Sequence, residues 1–199
     1  MMKRLLILLF WVCVSSAEVR AQPMFYTVAL NGAKEEPAND STGVGEDVIL
    51  YSVHNIHISL SFYDLVGNVT AAHIHCCTFD PFVGVAGIAI PLTDFPTGVT
   101  SGTYEHDFDL LDVSTYDTGF SGGDAGAAEA ALAQGLEDSK AYVNIHTTVF
   151  PGGEIRGFIR PVPEIDAASG TLPIAMLGGV LALVRERRRY RELDRPVAS

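Results

Sequence analysis

The chain has little cysteine, little tryptophan and few basic residues for its length. Three cysteines and one tryptophan occur among 199 residues, and 13 lysines and arginines stand against 24 aspartates and glutamates. Between residues 22 and 162 only four basic residues face eighteen acidic ones; the four are Lys34, Lys140, Arg156 and Arg160. Because a phosphate backbone is bound through positive charge, such an acidic body argues against nucleic acid as a partner.

The body also lacks the short motifs that accompany common catalytic chemistries. No G-x-S-x-G nucleophile elbow, phosphate-binding glycine loop or paired-carboxylate motif occurs, and no internal repeat is visible. The acidic stretch from 105 to 112 could bind calcium through carboxylates, but it lacks the glycine-spaced loop of an EF-hand. A solvated strand face is the simpler interpretation, and we assign no catalytic residue.

The N-terminus has the features of a secretory signal peptide. Two basic residues precede an apolar stretch from 5 to 14, and small residues follow it up to residue 21. The apolar stretch is shorter than the ~20 residues that a spanning helix needs. We therefore predict a signal helix over 1–21, export of the protein, and loss of Cys13 with the cleaved peptide.

The C-terminus consists of three parts in a fixed order. An apolar segment from 167 to 184 could just span a bilayer, and the arginine-rich tail from 185 to 199 would stay cytoplasmic. This order predicts a transmembrane helix that holds the precursor in the cytoplasmic membrane. The motif that opens the region is Val162, Pro163, Glu164, Ile165 and Asp166.

The three parts resemble the PEP-CTERM class of bacterial sorting signals, and the motif is similar to its VPEID-CTERM variant. The resemblance implies processing near the motif by an exosortase-type transpeptidase, with removal of the tail. It also implies a final location in the cell envelope or at the extracellular surface of a Gram-negative bacterium. A plain anchor predicts the same topology but a retained tail.

Residues 22–161 read as one mainly β domain. In "NIHISLSF" (55–62), apolar and polar residues alternate with the period of a half-buried strand, and "AYVNIHT" (141–147) alternates likewise. The alanine-rich stretch from 123 to 140 predicts a helix that begins after Asp124 and stops near Gly135. The pattern favours an antiparallel β-sandwich with one short inserted helix. Further strands are expected near 25–30, 47–53, 69–75, 85–90, 103–110 and 154–160.

Three stretches together resemble the CHRD domain, which is named for chordin and is widespread in exported bacterial proteins. They are "LNGAKEEPANDSTGVG" (30–45), "AAHIH" (71–75) and "AYVNIHTTVFPGGEIRGFI" (141–159), and the last carries the N-[IV]-H-T…P-G-G-E-I-R-G signature without a gap. The resemblance implies a β-sandwich module of secreted or surface proteins, with no established activity for bacterial members. The loop "TFDPFVGVAG" (78–87) is short of the small and polar residues expected there.

The histidines allow two interpretations. In a strand alternate side chains share a face, so His73 and His75 lie on one face about 6.6 Å apart along the chain. His146 shares a face with Asn144 and, if the two strands were close, would complete a three-histidine site for copper or zinc. Alternatively, the imidazoles only hydrogen-bond the loops to the sheet. A gap beyond ~8 Å between imidazole nitrogens would exclude a shared ion, since metal–nitrogen bonds are ~2.0–2.1 Å long.

Cys76 and Cys77 are the only cysteines expected in the mature chain. In an exported protein an even number of cysteines usually forms disulfides, so we rank a disulfide between these neighbours first. Thiolate ligation of a metal beside the histidines, contacts to other chains and a free pair are the alternatives. Asn144, Glu154 and Arg156 predict a buried, charge-assisted hydrogen-bond network rather than catalysis.

The sequence thus favours an exported, non-catalytic module with a structural or binding role in the envelope or the exopolysaccharide layer. Its expected partners are the processing enzyme, the cytoplasmic membrane before processing, and an exopolysaccharide or surface protein afterwards. The rival hypothesis is a copper- or zinc-binding protein, or a metal-dependent oxidoreductase, that uses the three histidines.

Overall fold

The computed structural model describes residues 23–163. This part of the chain holds nine strands, two α-helices and two short 3-10 helices, and the compact unit to which it belongs ends at Pro161. The 3-10 helices cover Gly32–Lys34 and Val113–Thr115. The other elements are β1 (Met24–Asn31), β2 (Val44–Ser52), β3 (Asn55–Tyr63), β4 (Val69–His75), β5 (Ile88–Pro91), β6 (Gly102–Asp109), α1 (Thr118–Ser121), α2 (Ala125–Glu137), β7 (Tyr142–Thr147), β8 (Ile155–Phe158) and β9 (Arg160–Pro161).

The strands form one curled antiparallel sheet with the order β5-β4-β7-β8-β1-β2-β3-β6, and β9 also pairs with β1. Its two four-stranded halves join between β8 and β1, where the paired residues are Asn31 and Arg156. Apolar side chains from both halves enter one core. The prediction of a mainly β, antiparallel fold with one short inserted helix is confirmed.

Period-2 alternation explains why these segments are strands. Along β3 every second residue, from Ile56 to Phe62, is at most 1% exposed, while the polar residues between them face outward. The same alternation on β1 and β2 gives each strand one buried face, which is apolar except for Asp47 on β2. Burial of such a face is the main driving force for pairing a strand into the core.

Helix α2 begins as predicted but ends later. The Asp124 side chain accepts a hydrogen bond from the backbone N–H of Ala127 and thus caps the first turn. The predicted stop at Gly135 is wrong, because the helix continues to Glu137. Gly135 is buried and faces the sulfur atoms of Cys76 and Cys77, which leave no room for a side chain there.

Two predicted strands differ from those observed. The segment 85–90 is a strand only from Ile88 onward, and 154–160 divides into β8, which pairs with β7, and β9, which pairs with β1. The predicted signal helix, the transmembrane helix and the motif residues Glu164, Ile165 and Asp166 lie outside the described residues. Within residues 23–163, no helix is long and apolar enough to cross a membrane.

Candidate metal centre on the outer face of the sheet

Strand register brings the three histidines to one face of the sheet. On β4, His73 lies opposite Asn144 of β7, and Ala71 lies opposite His146. Directly opposed residues of an antiparallel pair point to the same side, so His73, His75 and His146 share a face. The opposite face of the same strands carries Ile74, Val143 and other core residues.

One ring nitrogen from each histidine lies within 4.8 Å of the others. The ring centroids are 4.9 Å apart for His73 and His146, 5.6 Å for His73 and His75, and 6.2 Å for His75 and His146. Two nitrogens on one tetrahedral ion would be about 3.4 Å apart, given bonds of ~2.0–2.1 Å. Small side-chain rotations would therefore bring the three rings onto one ion.

Hydrogen bonds to main-chain carbonyl groups fix two of the tautomers. Nδ1 of His75 is 2.9 Å from the oxygen of Ala86, and Nδ1 of His146 is 3.0 Å from the oxygen of Pro151. Because a carbonyl oxygen only accepts, each Nδ1 carries the proton and each Nε2 keeps its lone pair. Such outer hydrogen bonds orient metal-ligating histidines in known sites.

Each of the three rings has a buried nitrogen without a hydrogen-bond partner in the described part of the chain. These atoms are Nδ1 of His73, Nε2 of His75 and Nε2 of His146. Buried polar atoms in folded proteins nearly always have a partner. The three nitrogens therefore have no assigned partner in the described part of the fold and are available as potential metal ligands.

Burial keeps all three imidazoles neutral near pH 7. Loss of solvation, together with the neighbouring rings of His146 and His75, lowers the pKa of His73 to about 4. Burial also lowers the pKa of His75 and of His146, although their bonds to carbonyl groups oppose this. Neutral imidazole is the form that binds a metal ion.

The backbone of Ala86 supports the site from one side. Its carbonyl oxygen contacts both His75 and the hydroxyl of Tyr142, and its N–H donates to the same hydroxyl. The Tyr142 ring stacks on the His75 ring at 4.8 Å. A register shift between Ile74 and His75 interrupts the pairing of β4 with β5 at this point, and such bulges often re-aim a side chain next to a functional site.

Asn144 and Arg156 lie on the same face as the histidines, beside a buried carboxyl group that the sequence analysis missed. Glu35 is 8% exposed, and burial raises its pKa to about 7 in spite of the nearby Arg156 guanidinium. Gly153 lies against both the Glu35 carboxyl group and the Asn144 amide, and a side chain at this position would collide with both. Arg156 donates to the oxygens of Lys34 and Gly84 and to the Glu36 carboxylate.

Glu154 is fully buried in a separate network. Its carboxylate accepts hydrogen bonds from the hydroxyls of Ser41 and Thr147 at 2.6 Å, and from the N–H groups of Val66 and Gly67 at 2.5 and 3.0 Å. Arg156 hydrogen-bonds to neither Glu154 nor any of these donor groups. The hydrogen bonds of Glu154 are therefore separate from those of Arg156, because Glu154 precedes β8 and faces different loops.

Cys76 and Cys77 form a disulfide that packs against α2 at Gly135. The alternative of thiolate ligation beside the histidines does not fit this arrangement, because both sulfurs are bonded to each other. The acidic stretch from 105 to 112 brings no three ligand atoms together in the described part of the chain. Within residues 23–163, His73, His75 and His146 form the only group of three or more potential ligands.

The fold and the site define a mainly β module with a polar, histidine-bearing outer face. The family model described as CHRD domain matches residues 26–159, and the chain therefore belongs to the CHRD domain family. A second model, described as VPEID-CTERM protein sorting domain, matches residues 162–192. No curated protein and no solved structure gives a significant match.

The sorting domain assigns the protein to the exported class that an exosortase-type enzyme processes, with transient anchoring in the membrane beforehand. Of the five motif residues, Val162 and Pro163 are described and exposed.

Proposed function

We propose that this exported CHRD protein is a non-catalytic surface module that binds one copper or zinc ion through His73, His75 and His146. The observation that carries the proposal is the convergence of three ring nitrogens within 4.8 Å of one another. One ion would satisfy the lone pairs of the three buried rings at once. Imidazole ligands suit zinc and copper, whereas calcium and magnesium prefer oxygen.

The number of ligands gives a second candidate function. Structural zinc sites in proteins usually have four protein ligands, whereas catalytic sites have three and an open position. Within the described residues the cluster has three members, so a bound ion would keep a position for water or an external ligand. With copper in the site this would permit redox chemistry, and a metal-dependent oxidoreductase is therefore the rival function.

Metal analysis of the mature chain, purified without a His-tag, tests the proposal. We expect about one zinc or copper ion per chain after equilibration and removal of the excess. The variants His73→Asn, His75→Asn and His146→Asn should each lose most of the ion. His106→Asn is the matched control, since His106 lies on β6 between Tyr104 and Phe108, outside the cluster.

Thermal unfolding gives a second readout of the same proposal. An ion that binds only the folded state adds about 2.7 kcal/mol of stability at a concentration of 100 Kd. The melting temperature should rise with added metal in the parent and in His106→Asn, and not in the three ligand variants. Metal-free protein whose stability ignores both zinc and copper would defeat the proposal. Turnover of an oxidisable substrate or of superoxide by the loaded protein would favour the oxidoreductase instead.

The proposed site of action is the Gram-negative envelope or its exopolysaccharide layer, with a polysaccharide or another surface protein as partner. The matched sorting domain supports this, because it implies release from the cytoplasmic membrane. Fractionation of expressing cells should find a shortened protein outside the cytoplasmic membrane, and Glu164→Ala should leave a full-length form within it. Equal distribution of the two forms would contradict this part of the proposal.

A further inference from the structure

The loop between β4 and β5, residues 76–87, exposes an unusual amount of apolar surface. Phe79 is 92% exposed, and Val85, Val83 and Phe82 are 65%, 54% and 50% exposed. Single exposed apolar residues are normal, but a contiguous group of this kind marks an interaction surface. We name residues 76–87 the apolar loop.

The backbone of the apolar loop is anchored along its length. Its two ends are joined by the bond from the N–H of Cys76 to the oxygen of Gly87. Between them Thr78 and Phe82 donate to the oxygens of Lys140 and Ser139, and the N–H of Gly84 donates to Glu36. These bonds hold the backbone of the loop in the conformation that leaves its apolar side chains exposed.

All four basic residues of the described chain adjoin this loop, although the body is otherwise acidic. The Arg160 guanidinium lies 4.8 Å from the Phe82 ring centre, and Lys34 lines the same groove of about 700 Å³ as Phe82 and Arg160. Arg156 donates to the oxygen of Gly84, and Lys140 accepts from Thr78. Arg156 pairs with Glu36 and Lys140 with Asp138, whereas neither Lys34 nor Arg160 has an acidic partner within residues 23–163.

The covalent connection to the tail puts this surface near the membrane. Arg160 is followed within two residues by the sorting motif, and the apolar segment begins at residue 167. Six residue steps separate Pro161 from residue 167 and reach at most ~22 Å when fully extended, so the chain leaves the body a short distance before the apolar segment begins. Anionic headgroups attract lysine and arginine, while aromatic and aliphatic side chains enter the headgroup boundary.

We propose that the apolar loop, with Lys34 and Arg160, is a membrane-docking surface that holds the body of the unprocessed precursor against an anionic lipid bilayer. Docking would keep the motif beside the membrane, where a membrane-bound processing enzyme acts. This inference uses the sorting signal and is independent of the metal site.

Tryptophan fluorescence in the anchored, unprocessed chain tests the docking. The only tryptophan, Trp11, lies in the signal segment, so Phe79→Trp places a single reporter in the signal-free chain without disturbing a buried side chain. Tyr63→Trp is the matched control, because Tyr63 is 49% exposed at the end of β3 in the other half of the sheet. Both variants are reconstituted in phosphatidylglycerol-containing vesicles with lipids that carry a quencher in the acyl chain.

We expect the emission at position 79 to shift to shorter wavelength and to lose most of its intensity, while position 63 remains unquenched. Lys34→Gln combined with Arg160→Gln should reduce the quenching in anionic vesicles to the level seen in phosphatidylcholine vesicles. Equal quenching at positions 79 and 63 would overturn the proposal. So would a blue shift at position 79 without lipid quenching, since a second copy or another protein would then cover the loop.

Discussion

Replacing Glu154 with glutamine should destabilise the body by about 3–5 kcal/mol, because it removes a buried carboxylate that accepts four hydrogen bonds. Each carboxylate oxygen accepts one hydroxyl and one backbone N–H: Oε1 from Ser41 and Val66, and Oε2 from Gly67 and Thr147. In glutamine one oxygen becomes an NH2 group. The facing hydroxyl can turn and accept, but the facing backbone N–H cannot, so at least one buried donor is left unpaired.

The magnitude follows from two contributions. An unpaired buried donor costs roughly 1–3 kcal/mol, and hydrogen bonds to a charged acceptor contribute about 1.5–3 kcal/mol each. By contrast, Ser41→Ala or Thr147→Ala removes one donor and leaves the carboxylate with three, so each should cost about 1–2 kcal/mol. Glu154→Gln should therefore cost more than either single hydroxyl deletion.

Urea unfolding followed by far-UV circular dichroism measures these differences. A loss below about 1 kcal/mol in Glu154→Gln, or a larger loss in the hydroxyl variants, would refute the reasoning about donors and acceptors. Acid gives an independent check. Burial alone would raise the pKa of Glu154, but the hydrogen bonds from Ser41, Thr147 and the two N–H groups lower it. Its stabilisation is thus present above the unfolded-state pKa and lost as the pH falls, so parent and variant should converge in acid.

Three other substitutions have definite expected outcomes. Asp47 is 2% exposed, and burial raises its pKa to about 7, so the stability of the parent falls as the pH rises from about 4 to 7. Asp47→Asn should be more stable than the parent by about 3–4 kcal/mol at pH 8 and gain little at pH 4. Equal effects at both pH values would contradict this. Gly135→Ala should destabilise the body by about 1–3 kcal/mol, because the added methyl group collides with the disulfide. Gly126→Ala on the same helix, where a Cβ has room, should be neutral or stabilising. A Gly135→Ala variant that is more stable in thermal unfolding would show that the packing is looser than observed. Asp124→Ala removes the N-cap of α2 and should cost about 1 kcal/mol in the same assay, and an unchanged melting temperature would show that the cap is dispensable.

The fold could be predicted from alternation because most strands expose one face and bury the other. The segment 55–62 and the segment 141–147 fall within one residue of the observed strands, as the residue period of a half-buried strand is independent of its partners. Boundaries failed where tertiary packing overrides composition. Gly135 is a glycine because two sulfur atoms occupy the space of a side chain, not because the helix ends there, and the segment 154–160 is interrupted between β8 and β9.

The candidate site was predicted only in part for the same reason. The H-x-H spacing places two rings on one face, but nothing local specifies that β4 and β7 are neighbours, and these strands are about seventy residues apart in the sequence. The carbonyl partners of His75 and His146 lie in loops whose conformation has no periodic signal. One missed feature did have a signal: Asp47 shares its strand face with Gly45 and Ile49, so period 2 alone points its carboxyl group into the core.

The distribution of unsatisfied groups connects the fold with the proposed function. Of the eight buried side-chain atoms without a partner in residues 23–163, two belong to Asp47, and the other six cluster around β4, β7 and the adjoining segments. These six are the histidine nitrogens of the candidate site and one oxygen each of Asn31, Glu35 and Asn144. The Asn31 and Asn144 oxygens and the Nε2 atoms of His75 and His146 offer lone pairs rather than protons, whereas the Glu35 carboxyl group, with its pKa raised to about 7, can also donate. The two Nε2 atoms are therefore free to bind the ion that we propose for this site.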